Sequence, residues 1–225
     1  MDYTKLIGYQ KNQACCHGMG VLMSGKLEEA QPVAIFDFDG TITRKSTTVP
    51  FLRFVFGVSF LARLSCQLHS LLLYYCRIID IDELNQIIVQ SFFKNLSRDY
   101  LFHQGQNFSE KILPSLIRES AFQRIKWHKS QGHYCILATS AYDLYTEHWS
   151  KTNCFNDLVS TKIAFDERWQ ATGTLDGKSC YGKEKLQRVL ELIGDKPRIV
   201  YAYGDSAGDK AILDYATYPY YKYFK

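Results

Sequence analysis

The stretch Val33-Ala-Ile-Phe-Asp37-Phe-Asp39-Gly-Thr41-Ile-Thr43 carries the first residues able to do chemistry. Four apolar β-formers run into two aspartates, a glycine and hydroxyl side chains. An unbroken apolar run of that length predicts a buried strand of a parallel sheet. In open α/β sheets the chemistry lies just beyond the carboxyl ends of the strands. Asp37 then stands at the strand tip and Asp39 in the loop, with Gly40 allowing the chain to turn sharply. Carboxylates at a buried strand end are costly unless something cationic sits beside them.

Two further strands end in polar groups. His133–Ala138 reads as a buried strand that stops at Thr139-Ser140, and Arg198–Tyr203 as one that stops at Gly204-Asp205-Ser206-Ala207-Gly208-Asp209. Alternating strands and helices imply a parallel sheet, so these tips share one edge with Asp37 and Asp39. Four converging carboxylates repel one another, and a divalent cation resolves that. Magnesium takes oxygen ligands and is held by one or two carboxylates plus water and substrate phosphate. A carboxylate beside it can act as a nucleophile and form an aspartyl-phosphate. Phosphoryl transfer asks mainly for positioning and charge neutralisation. In this reading Asp37 attacks phosphorus, and Asp39 protonates the leaving oxygen and later deprotonates water. Asp37, Asp205 and the Asp39 backbone carbonyl hold the metal. Thr139 donates a hydroxyl to phosphate. A lysine is still needed, and Tyr181-Gly182-Lys183-Glu184-Lys185 offers two.

The opening Asp37-Phe38-Asp39-Gly40-Thr41 resembles the first motif of the haloacid dehalogenase-like (HAD) hydrolases. Ala138-Thr139-Ser140 resembles their second motif, in which a Thr or Ser ends the strand; Thr139 and Ser140 both stay open for that role. The Gly-x-x-Lys form of the third motif selects Lys185 over Lys183. Gly204-Asp205-Ser206-Ala207-Gly208-Asp209 is similar to the fourth, Gly-Asp-Ser-x-x-Asp, with Asp209 supporting the metal. All four stand in order between residues 33 and 220, and the whole most resembles subfamily IB, the phosphoserine-phosphatase-like members. That resemblance implies a Rossmann-like parallel sheet flanked by helices, with a helical type-1 cap inserted between the first and second motifs. An acid at Asp39 is the mark of phosphatases and phosphomutases rather than dehalogenases.

The elements that must position these residues divide the chain into an N-terminal extension (1–32), an α/β core (33–47 and 113–225) and a helical cap (48–112). Leu61, Leu64, Leu68, Leu71, Tyr75 and Ile78 recur at helical spacing, with Arg63, Gln67, Ser70, Tyr74 and Arg77 opposite. This predicts one amphipathic helix whose apolar stripe forms the core of the cap. The sharper reading of the same stripe is contact with a membrane surface. Further helices are expected from about Asp82 and over 97–112, a β-hairpin over 162–175, and an edge strand near Tyr218, where Pro219 excludes a central position.

The totals narrow the class. The chain has 225 residues, 46% of them hydrophobic, and a formal charge of +4 without a basic stripe. That suits anionic substrates and excludes an evident nucleic-acid footprint. Seven cysteines without a C-x-x-C pair fit reduced thiols better than a disulfide framework, and Cys15-Cys16-His17 lacks zinc spacing. The expected location is cytoplasmic, with peripheral contact at the inner face of the membrane under the sharper reading. The expected function is a magnesium-dependent phosphomonoester hydrolase acting on a small ester such as phosphoserine. The alternatives are a lipid phosphate phosphatase, phosphatidylglycerophosphatase-like, and, in another class, a catalytically idle HAD-like binding module.

Overall fold

The computed structural model describes residues 27, 28, 30–194 and 198–225. Most of the expected extension, residues 1–26, lies outside the described residues. Pro32 is already tied to the core: its carbonyl accepts the Tyr134 N–H at 2.8 Å.

The chain adopts the parallel α/β architecture that the strand–helix alternation implies. β1 (Val33–Phe36), β2 (Tyr134–Tyr142), β3 (Asp157–Thr161), β6 (Val200–Gly204) and β7 (Tyr218–Tyr221) form one sheet in the order β3-β2-β1-β6-β7. Every pairing in it is parallel. β1 lies at the centre because all four of its side chains are apolar and buried. Alternation along the strand sends Ala34 and Phe36 into one apolar cluster and Val33 and Ile35 into another, one on each face. Burying side chains such as Ile35 and Phe36 contributes roughly 1.5–3 kcal/mol each against the entropy of ordering them. β7 sits at the edge, where the missing N–H of Pro219 removes nothing from the ladder.

The connections follow the same logic. β1 leads to its β2 neighbour on one side, whereas β3 crosses back over β1 to reach β6 on the other. The order of strands therefore reverses at β1, and a crevice opens at its carboxyl end. That end is Asp37.

Between β1 and β2 run α1 (Thr48–Phe56), α2 (Ser59–Ser65), α3 (Leu68–Tyr75), α4 (Ile81–Phe92), α5 (Arg98–Lys111), α6 (Leu113–Leu116) and α7 (Glu119–Ser130). α4 starts on a reciprocal cap: Asp80 accepts the Glu83 N–H at 2.9 Å and Glu83 accepts the Asp80 N–H at 3.0 Å. α5 approaches α8 (Asp143–Thr152) at Gly105, where a Cβ would lie 1.8 Å from the Leu144 carbonyl oxygen. Only glycine fits there. β4 (Ile163–Phe165) and β5 (Ala171–Leu175) form the expected hairpin, and Asn95 N–H donates to the Ala171 carbonyl at 2.8 Å. The hairpin thereby binds the α4–α5 connection to the second half of the chain.

The single amphipathic helix expected over residues 61–78 is not what forms. The chain breaks at Cys66 and Gln67 into α2 and α3. Nor is its apolar stripe a core: Leu61, Leu68, Tyr75 and Ile78 are exposed, and the helical segment packs instead through Phe51, Phe60, Phe92 and Phe93. Two short helices bury less area than one long one, and aromatic side chains offer more area per residue. Cys135 and Cys180 are buried free thiols, but Cys154 is disulfide-bonded, so the expectation of reduced thiols does not hold for it. No helix among the described residues is long and apolar enough to cross a membrane.

Candidate active site

The carboxyl end of β1 sets the frame. Asp37 keeps an extended backbone, and its N–H donates to the Tyr203 carbonyl of β6 at 2.9 Å. The chain then winds through one tight turn over Phe38–Ile42, closed by the Thr43 N–H on the Phe38 carbonyl at 2.9 Å. Gly40 makes that turn with φ +80°, and a Cβ there would lie 2.4 Å from Asp205 Oδ2. Both the backbone angle and the close approach of Asp205 demand glycine.

α9 (Gly182–Ile193) delivers the lysine. Lys185 is 2% exposed and Lys183 is open to solvent. The Lys185 ammonium donates to Asp37 Oδ1 at 2.9 Å and to Asp209 Oδ1 at 2.7 Å. The two carboxylates hold its pKa above the usual lysine value despite burial. Asp37 is pushed up to about 7, because desolvation outweighs the pull of Lys185. Asp37 Oδ2 accepts no hydrogen bond among the described residues.

The loop after β6 brings the other acids. One oxygen each from Asp37, Asp205 and Asp209 lie within 4.8 Å of one another. Asp209 has both oxygens engaged: Oδ1 holds Lys185, while Oδ2 accepts from Asp205 N–H (3.1 Å), Ser206 N–H (3.0 Å) and Ser206 Oγ (2.8 Å). These charged and hydrogen-bonded partners keep its carboxyl below the usual range despite the opposing effect of burial. Asp209 is thus built to shape the loop. Asp205 is met by Lys225 at 2.6 Å and, at the 3.5 Å limit, by the Thr41 hydroxyl. Thr41 belongs to the opening motif, whereas Lys225 lies in no pattern that sequence alone would single out.

Asp39 turns away from this cluster. Its Oδ1 accepts from Thr47 N–H (3.0 Å) and Thr47 Oγ1 (2.6 Å), and its Oδ2 from Ser46 Oγ (3.2 Å). Thr47 in turn meets the buried Tyr145 hydroxyl at 2.8 Å. Burial pushes Asp39 up to about 6, against these hydrogen bonds. Both Asp39 carboxylate oxygens are thus committed to the connector and neither joins the Asp37–Asp205–Asp209 cluster. Sequence reading missed Thr47 and Tyr145, since a threonine in a polar connector looks like any loop residue. Thr139 is fully buried, and its Oγ1 accepts the Ala141 N–H at 3.0 Å, which leaves the hydroxyl proton to donate elsewhere. Ser140 is half-buried one position on, its carbonyl accepting from Thr161 Oγ1.

The donor set suits a hard divalent cation. It consists of oxygens only, and the three clustered carboxylates of Asp37, Asp205 and Asp209 outnumber the two ammonium groups, Lys185 and Lys225, that meet them.

With this geometry in view, comparison with known proteins places the chain. A sequence model described as haloacid dehalogenase-like hydrolase matches residues 34–214. The chain belongs to this family. It is similar to Protein CicA of Caulobacter vibrioides, 28% identical over 209 residues that cover 90% of this chain and 91% of that protein. Among solved structures, it is similar to a protein of unknown function from Bordetella pertussis Tohama I, with a TM-score of 0.70 and 18% identity over 84% of this chain and 89% of that one. It is also similar to a phosphoserine phosphohydrolase-like protein from Francisella tularensis, with a TM-score of 0.57 and 17% identity over 83% and 84% of the two chains. At those identities the likeness is one of fold.

Next to the site, Tyr181 lies against the loop after β6: a Cβ on Gly208 would come within 2.4 Å of its ring. The same tyrosine lines a cavity of about 660 Å³ together with Tyr74, Tyr75, Arg77, Ile78 and Glu83. α4 is fastened across this region by Asn85, which donates to Ser179 Oγ at 2.8 Å and accepts from the Tyr142 hydroxyl at 3.2 Å.

Proposed function

We propose that this member of the hydrolase family is a magnesium-dependent phosphomonoester hydrolase that works through a phosphorylated Asp37. One observation carries the reading: Asp37 offers an unoccupied Oδ2 at a strand tip where Lys185 fixes its other oxygen and Asp205 and Asp209 lie within 4.8 Å. The idle-module alternative has to treat that costly gathering of buried charge as accidental.

In the proposed reaction Asp37 Oδ2 attacks phosphorus and the ester P–O bond breaks. The Asp39 carboxyl gives its proton to the departing oxygen. Water then attacks the phosphoryl group, loses a proton to Asp39, and the P–O bond to Asp37 breaks to release phosphate. A pKa of about 6 suits a group that must hold the proton in one step and lack it in the next. Asp37, Asp205 and the Asp39 carbonyl would hold magnesium, which supplies charge neutralisation for the transferring phosphoryl oxygens. Lys185 holds Asp37 in place through Oδ1 and favours its ionised form against the effect of burial. Thr139 donates to a phosphate oxygen, with Ser140 its rival. The segment 48–112 acts as a cap, fastened over the site by Asn85, and the cavity beside Tyr181 receives the alcohol part of the ester.

A small ester such as phosphoserine remains the first substrate choice, and a lipid phosphate its rival; the cavity lining joins aromatic and aliphatic side chains to Arg77, Asp80 and Glu83 and admits either. The test is phosphate release from p-nitrophenyl phosphate, then from a panel that includes phosphoserine and lipid phosphates, with magnesium and with EDTA. Turnover that needs the metal supports the reading. No release from any ester would leave the binding module standing.

A further inference from the structure

The α2–α3 face presents apolar side chains that nothing covers among the described residues. Leu61 is 69% exposed, Leu68 55%, Leu72 65%, Tyr75 89% and Ile78 68%. Leu68, Leu72 and Tyr75 stand at i, i+4 and i+7, one side of α3. Single exposed leucines are ordinary, but a row of them marks an interaction surface.

Charge says what kind of surface it meets. No acidic residue occurs between Asp39 and Asp80, whereas Arg44, Lys45, Arg53, Arg63 and Arg77 all fall in that interval. Arg63 is fixed beside the apolar row, donating to the Ser91 carbonyl at 2.8 Å and stacking over Phe56 at 4.7 Å. Arg53, Arg63 and Arg77 make no ion pair among the described residues. An apolar row flanked by Arg63 and Arg77, with no acid before Asp80, is the combination that an anionic lipid surface attracts. A specific protein partner would call for both charge signs and for hydrogen-bonding groups that fix its register. Tyr74 and Tyr75 have an apolar body with a polar tip, the side-chain type favoured at the headgroup level.

We propose that the α2–α3 face is a docking surface for an anionic lipid bilayer. Tyr74, Tyr75 and Ile78 belong both to this region and to the lining of the 660 Å³ cavity, which Asp80 and Glu83 also line beside Arg77, so docking brings the cavity to the headgroups. This goes beyond the catalytic reading and does not depend on it, since a chain that hydrolysed nothing would still bind.

Flotation of the full chain with vesicles tests it, using phosphatidylcholine alone and phosphatidylcholine mixed with phosphatidylglycerol. The expected result is binding to the mixed vesicles only, weakened by salt. The triple variant Leu61→Ser, Leu68→Ser, Leu72→Ser alters solvent-exposed positions, so its circular dichroism and its turnover of p-nitrophenyl phosphate should match the parent. Its partitioning should fall roughly tenfold or more. Failure of the parent chain to float with the mixed vesicles would overturn the proposal, and so would undiminished floating of the triple variant. A dimer in sedimentation velocity that the triple variant dissolves would give the face to a second copy of the chain instead.

Discussion

Lys185 Nζ sits 2.9 Å from Asp37 Oδ1, joining residues 148 positions apart, and both side chains are almost wholly shut off from water. Removing one member of a buried pair leaves an uncompensated charge. Lys185→Met should cost about 3–5 kcal/mol of stability. The loss should be larger at pH 8 than at pH 6, because Asp37, already raised to about 7, relieves the missing partner by binding a proton at the lower pH. Urea denaturation at the two pH values measures this. Equal losses would show that Asp37 is not the charge Lys185 serves.

Asp37→Asn keeps size and shape but removes the nucleophile. Turnover of any substrate should fall by more than about a thousandfold with the melting temperature little changed or raised. Trapping a radiolabelled phosphoryl group on acid-quenched parent protein, and failing to trap it on the variant, would locate the intermediate.

Gly40→Ala strikes the site through the backbone. The new Cβ would stand 2.4 Å from Asp205 Oδ2, in a residue held at φ +80°. The left-handed angle alone disfavours alanine by about 1 kcal/mol. Displacing Asp205 should weaken magnesium binding roughly tenfold or more, as read by isothermal titration. An unchanged affinity would remove Asp205 from the ligand set.

Thr47 holds Asp39 through its N–H and its hydroxyl. Thr47→Val keeps the former and loses the latter. We expect kcat to drop about ten- to a hundredfold with KM nearly constant, and Thr47→Ser to restore most of it. A change in KM alone would point to substrate contact instead of orientation of Asp39.

His128 ties stability to pH. It is fully buried, with Nε2 2.8 Å from the Tyr203 hydroxyl and Nδ1 2.8 Å from His133 Nδ1. Arg124 donates to the same Tyr203 oxygen at 2.6 Å, and Phe36, Trp127 and Tyr201 pack around the ring. Tyr203 can then donate to His128 Nε2, and the ring stays neutral. Burial, then the nearby cations, lower its pKa from 6.5 to about 3. The folded imidazole therefore refuses a proton that the unfolded one takes up. Its stabilising contribution is complete above pH 6.5 and is lost progressively as pH falls from there toward 3. Asp37 and Asp39, raised to about 7 and 6, contribute with the opposite sign over the same range, so the measurement is a difference: the stability lost on His128→Phe should be largest at pH 7.5 and shrink in thermal melts taken down to pH 4.5.

Much of this molecule could be read in its residues in order. The run Val33–Phe36 is too apolar to face water on either side, so it had to be a central strand; Pro219 had to lie at an edge; the acids from Asp82 announced a helix, though its Asp80–Glu83 cap emerged only in the structure. The acids at Asp37, Asp205 and Asp209 were legible because each follows an apolar strand, and parallel strands bring their tips to one side. Other features depended on three-dimensional contact. Thr47 and Tyr145 orient Asp39 because a connector and α8 happen to pack together, and Lys225 folds back over 20 positions to reach Asp205; short-range periodicity carries no trace of either. The apolar stripe of residues 61–78 shows the limit most plainly. Its spacing states that one side is apolar, but whether that side is covered depends on what else fills the core, and here Phe51, Phe60, Phe92 and Phe93 had already filled it.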